Sequence, residues 1–169
     1  EPPLDQVFDD LSADIRQGAV TPVLIGSAHN GNGILRLLKT IRHDAPGIAE
    51  TRARLGVKEN GAAILHVMKT IHTMHGGKLS VARVLAGALK DGMELSGPDG
   101  ANARVSGVYR LFGKDHKPTG DMQAGATLGL GPLDAARTGD CLTSARQAVQ
   151  TLFALAPPPP VYSIALRPK

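Results

Sequence analysis

Between residues 62 and 143 the chain reads as a succession of short apolar stretches, "AAILHVMKTI", "GKLSVARVLAG", "MELSG", "ARVSGVYRLFG", "MQAGATLGLG" and "GDCLT", separated by turn-forming residues. Apolar runs this brief, rich in β-branched and aliphatic side chains, fit strands and are too short for stable helices. Asp91–Gly92 lies between two of them and predicts a hairpin turn, and "GPDG" at 97–100 predicts a second. Half a dozen strands at this spacing have few ways to bury their faces, so a small six-stranded barrel or sandwich is expected. No internal repeat accompanies them.

The flanking segments follow other patterns. Leu4, Val7, Phe8, Leu11 and Ile15 recur at helical spacing, which predicts a helix over 4–17 that stops near Gly18. "VTPVLI" at 20–25 reads as a strand, and Ile34, Leu37, Leu38 and Ile41 predict a helix over about 33–43 with Asn32 as its N-cap. One strand cannot make a parallel sheet, so this helix–strand–helix piece is expected to be the end of a larger α/β domain. In "DAPGIAETRARLGVKENG" periodicity fades and Pro, Gly and charge rise, which marks residues 46–60 as a linker. Residues 146–160 turn helical and run into "PPPP", a second linker. "VYSIALRPK" then alternates like a strand without a partner, and is expected to begin a further domain or to pair residues 161–167 with another copy or a sheet edge. A start at Glu-Pro-Pro and an end just after that strand suggest a piece of a longer protein.

Composition narrows the function classes. With 169 residues there is room for one good core or two small ones. A formal charge of +4 permits contact with a polyanion without requiring it. Aromatic residues make up 3% with no Trp, so stacking on bases is not expected as a main mechanism and any contact with RNA is expected to be to backbone and shape. A single cysteine, Cys141, excludes an intrachain disulfide and a multi-cysteine zinc site. No apolar run approaches a membrane span and the acidic, amphipathic N-terminus is unlike a secretory leader, so a cytoplasmic setting is expected.

No self-sufficient active site stands out. "VLIGSAHNGNGILRLL" at 23–38 has the strand–turn–helix setting of a phosphate loop, and Gly26 and Gly31 have the right separation. Asn32 and Gly33 then stand where the lysine and the Mg²⁺-binding hydroxyl belong, so no triphosphate should be held there. "HDAPG" at 43–47 contains D-x-P-G, the form of a GTPase switch motif, but Asp44 follows a helix and reads as a helix stop. His72 and His75 give only half a metal site. Cys141 among apolar neighbours reads as a buried, inert thiol, and no Ser/His/Asp order invites a hydrolase.

Taken in order, "TPVLIGSAHNGNGILRLLKTI", "GGKLSVARVLAGALKDGMEL", "AGATLGLGPLDAARTGDCL" and "PPPVYSIALRPK" closely resemble bacterial elongation factor G and its paralogues among translational GTPases, over nearly the whole chain. The resemblance implies a mainly β fold: a translation-factor-type barrel at 61–145, preceded by a helix–strand–helix remnant of the α/β G domain at 1–45 and followed from 161 by the first strand of a third domain. It identifies Gly26, Ser27 and Ala28 with the fifth GTPase motif, in which Ser27 and Ala28 approach guanine and the Ala28 amide suits the O6 carbonyl. A carbonyl acceptor needs a neutral N–H donor and no cation, which accords with the missing lysine. The family commonly has an aromatic and lysines just after this motif, where His29, Asn30 and Asn32 stand here. The phosphate loop, switch regions and N-K-x-D are not in this sequence, so GTP or GDP with Mg²⁺ is expected in the parent protein and hydrolysis is not expected of this chain alone. Partners implied are the ribosome and its small-subunit rRNA, with Lys69, Lys78, Arg83, Lys90, Arg104, Arg110, Lys114 and Lys117 as candidate backbone contacts; neither membrane nor DNA is implied. Two alternatives stay open: a ribosome-protection or recycling paralogue, and a stand-alone β-barrel binding module without nucleotide chemistry.

Overall fold

The computed structural model describes residues 3–73, 77–100, 102–113, 115–134, 136–145, 152 and 158–167. Three helices come first: α1 (Leu4–Gln17), α2 (Ile34–Asp44) and α3 (Ile48–Leu55). α1 follows the apolar spacing and ends at Gly18, whose N–H bonds the Asp14 and Ile15 carbonyls. α2 also forms where expected, but its cap is Gly33 at φ 78°, with no side-chain cap bond, so Asn32 does not cap it. α3 lies inside the segment read as a linker. Its only large apolar side chains, Ile48 and Leu55, sit seven positions apart among charged residues, too few for a periodic signal, and it ends at a left-handed Gly56.

Ten strands follow among the described residues: β1 (Ile64–Thr73), β2 (Gly77–Ala86), β3 (Ala88–Leu89), β4 (Glu94–Ser96), β5 (Asn102–Arg104), β6 (Val108–Phe112), β7 (Asp115–Pro118), β8 (Met122–Gln123), β9 (Thr127–Leu130) and β10 (Cys141–Thr143). All pairings are antiparallel, and eight strands order as β5-β4-β10-β1-β2-β9-β6-β7 with β3-β8 as a second pair. Each of the six apolar stretches supplies at least one strand. The stretches at 103–113 and 122–131 break where Gly107 (φ 121°) and Gly125 (φ 94°) bend the backbone out of the ladder. β7 has no sequence signal because "DHKP" is polar and fully exposed.

The two predicted turns fare differently. "GPDG" closes with a Gly100 N–H to Gly97 carbonyl bond of 3.1 Å and joins β4 to its partner β5. Asp91–Gly92 also turns, with Gly92 at φ 77°, but β3 and β4 do not pair, so the turn passes the chain from one sheet to the other and is no hairpin. Asp91 Oδ1 accepts from the Gly92 and Gly107 amides at 3.0 and 2.9 Å, which holds this crossing to the entry of strand β6.

The core lies inside the curve of the β domain, where Leu65, Val67, Val84, Leu89, Leu95, Val105, Val108, Leu128 and Leu130 are buried together. Each such side chain contributes roughly 1.5–3 kcal/mol by leaving water. A second cluster joins Ile64, Leu85 and Ala86 to Ile48, Leu55 and Val57, so α3 is seated on β1 and β2 by its own two large apolar side chains. The N-terminal third has no comparable core. No residue of α1, α2 or α3 is fully buried, and Val23 and Ile25 are 85% and 93% exposed. Residues 20–25 form no ladder, and neither do residues 161–167, because a strand needs a neighbour and none is offered to either segment among the described residues. The helical reading of 146–160 falls largely outside the described residues.

Candidate functional site

Residues 26–33 build a pinched loop between an extended segment and α2. The Ser27 N–H donates to the Asn32 carbonyl at 2.8 Å, and an isolated bridge joins the same two residues. The two arms cross so closely that a Cβ on Gly26 would stand 2.8 Å from the Asn32 oxygen, and one on Gly33 2.6 Å from the Ile25 oxygen. Glycine at both places is therefore a requirement of the crossing, and at Gly33 of the left-handed backbone as well. Gly26, Ser27 and Ala28 lie on one arm, with Ser27 half-buried and Ala28 exposed at the rim. Beside them is a cleft of about 230 Å³ lined by Leu24, Ile25, Ala28, Gly33, Ile34 and Leu37.

This loop sets polar side chains beside an apolar wall. Its side chains are Ser27, Ala28, His29, Asn30 and Asn32, with no lysine or arginine, so the loop offers no cation to a polyphosphate. Asp44 is tied up elsewhere: Ser12 Oγ donates to its Oδ1 at 2.7 Å, and Arg16 donates to the His43 carbonyl at 2.5 Å, so α1 is clasped to the end of α2. Among the described residues no group of three or more His, Cys, Asp or Glu is placed to hold a metal ion. His72 is exposed, and His75 lies outside the described residues. Burial pushes the Cys141 thiol up, away from thiolate, as expected of an inert side chain. Burial pulls His66 below the ordinary imidazole value.

The eight cations divide by what they already hold. Lys78 Nζ donates to the Asp134 carbonyl at 3.0 Å and to the Ala136 carbonyl, so it fastens the 131–140 loop to β2. Arg104 donates to the Gly92 carbonyl at 3.1 Å, Arg83 to Thr127 Oγ1 at 3.1 Å, and Lys90 lies 3.5 Å from Asp121. Lys69, Arg110 and Lys117 are exposed, and Arg110 and Lys117 face each other directly across β6 and β7. Lys114 lies outside the described residues. This division follows from tertiary position, which no local sequence signal carries. No helix among the described residues is long and apolar enough to cross a membrane.

Comparison with known proteins adds a second line. No protein-family model matches the chain. A protein from Synechocystis sp. called Elongation factor G-like protein is 33% identical over 171 residues, covering 100% of this chain and 24% of its own length. Ribosome-releasing factor 2, mitochondrial, of Drosophila persimilis is 32% identical over 134 residues, covering 79% of this chain and 18% of its own. A crystal structure of a protein from Thermus thermophilus superposes with a TM-score of 0.70 at 24% identity, over 93% of this chain and 23% of that one, and so shares the fold. The chain spans about a quarter or less of the length of the curated relatives it matches.

Proposed function

We infer that this chain, homologous along its whole length to an elongation factor G-like protein, is a segment of a ribosome-dependent translational GTPase. The observation that carries the reading is that full-length homology, joined to a base-type loop at Gly26–Ala28 that lacks any phosphate-binding cation. In this reading residues 1–45 close the G domain, 46–60 connect it to the β domain at 61–145, and 161 onward opens a third domain. The Ala28 amide and Ser27 read the guanine edge. The phosphates of GTP or GDP and their Mg²⁺ are held by other parts of the parent, which works in the cytoplasm. The β domain docks on small-subunit rRNA. The likeness to ribosome-releasing factor 2 favours a second reading within the same family, in which the parent acts in ribosome recycling and not in translocation.

The exposed apolar faces of α1, α2 and residues 20–25 support a missing companion layer. An antibody raised against the chain should therefore detect, in source cells, a polypeptide several times larger than 17.6 kDa. A native product of about this size would instead favour a stand-alone binding module. The isolated chain should show no GTP hydrolysis and no tight GTP binding, and micromolar affinity by calorimetry would contradict the division of labour. Residues 161–167, whose Val161, Tyr162, Ile164 and Leu166 are exposed, are expected to pair with another copy or with the barrel edge; solution scattering that shows a monomer with a disordered C-terminus would count against that pairing.

A further inference from the structure

The β6–β7 hairpin leaves the sheet. β6 pairs with β9 only at Val108 and Tyr109, and beyond Tyr109 its ladder partner is β7 alone. Strand alternation puts Val108, Arg110 and Phe112 on one face, with Lys117 opposite Arg110 and Asp115 opposite Phe112. Val108 is in the core, but the same face emerges into solvent two residues later, leaving Arg110 and Lys117 exposed and Phe112 83% exposed. On the reverse face Leu111 leans over Gly129 of β9, where a Cβ would meet its Cδ2 at 2.9 Å, and within the hairpin Tyr109 and His116 brace β6 against β7 with an edge-to-face contact at 5.6 Å. One side of the hairpin is thus fixed to the β domain and the other is held open.

Three features of the open side point to its occupant. It carries Phe112, one of three Phe in the chain, turned into solvent. Arg110 and Lys117 are like charges directly opposed, a pairing that weakens a ladder unless an anion lies between them. Neither makes an ion pair among the described residues. We propose that the hairpin binds an unpaired stretch of RNA, one base stacked on Phe112 and the adjoining phosphates on Arg110 and Lys117. The proposal rests on the ribosomal reading above and names the element that makes the contact. It departs from the expectation of purely backbone contacts, because a single well-placed aromatic suffices for one stacked base.

Three forms of the 169-residue chain decide it: wild type, Phe112→Ala, and Arg110→Ala with Lys117→Ala. All three positions are exposed, so the fold should survive. Anisotropy with a labelled oligouridylate should show Phe112→Ala binding about tenfold more weakly with the same salt dependence. The double variant should flatten the salt slope by about 0.7 for each phosphate it no longer neutralises. Equal affinity for Phe112→Ala, an unchanged slope for the double variant, or equal binding of a duplex RNA would overturn the proposal. Small ribosomal subunits as the probe separate the two readings. If wild type fails to bind them, the ribosomal reading and the hairpin's role fall together; if wild type and both variants bind alike, only the hairpin's role falls.

Discussion

Replacing Leu65 with alanine is expected to cost the β domain about 3 kcal/mol of unfolding free energy. Leu65 is fully buried in the middle of the sheet order, opposite Val84 on β2 and Leu142 on β10, so the cavity left behind is walled by strands on both sides and cannot collapse easily. For a small domain that is a large share of the total stability. Urea denaturation followed by circular dichroism should show the midpoint falling with little change in slope. Val161→Ala is the control: Val161 is 98% exposed, and its truncation should leave the transition where it was. A loss under about 1 kcal/mol at Leu65 would mean that the core is looser than its burial implies.

A comparable or larger loss, above about 3 kcal/mol, is expected for Gly87→Ala, through backbone rather than packing. Gly87 has φ 66°, and an added Cβ would lie 2.5 Å from the Ala62 oxygen and 2.9 Å from the Ala63 nitrogen, both main-chain atoms. That main chain has nowhere to go. The Ala63 N–H donates to Ser144 Oγ at 2.9 Å and its carbonyl accepts from the Ser144 N–H at 3.0 Å. Gly100→Ala isolates the conformational part, since Gly100 has φ 73° with nothing within 4 Å of an added Cβ. It should cost only about 1–2 kcal/mol. Equal losses for the two, read from the same urea transitions, would show that the close approach at Gly87 is relieved by movement.

Why some of this is readable beforehand follows from where each signal resides. α1 and α2 announce themselves because each carries a full apolar stripe, whatever that stripe goes on to cover. α3 does not, because two apolar side chains suffice to seat an eight-residue helix when the groove is supplied by Ile64, Leu85 and Ala86. Turn chemistry fixes that the chain reverses at Asp91–Gly92 but not which strand it then meets, and so a hairpin is expected where a crossing occurs. Residues 20–25 and 161–167 have the composition of strands, yet a ladder is a property of two segments, and composition belongs to one. At the candidate site Gly26-Ser27-Ala28 is proposed through family likeness alone, whereas the crossing of the loop arms is a matter of three-dimensional spacing. The basic residues show the limit most clearly: Lys78 and Lys117 look alike in sequence, and only the fold reveals that one is spent on carbonyls while the other stands open to solvent.

The ladder of β1 has a temporal side. Ile64, Leu65 and His66 are paired on one flank by β2, which follows at once, and on the other by Thr143, Leu142 and Cys141. About eighty residues therefore leave the ribosome between the first strand and its last neighbour, roughly 4–16 s of synthesis at ordinary rates. Through that interval the growing polypeptide carries a half-finished sheet with an open β1 edge. A pause or truncation before Cys141 would strand it there, so the short, fully buried β10 acts as the latch that ends a period of vulnerability to aggregation in every newly made copy.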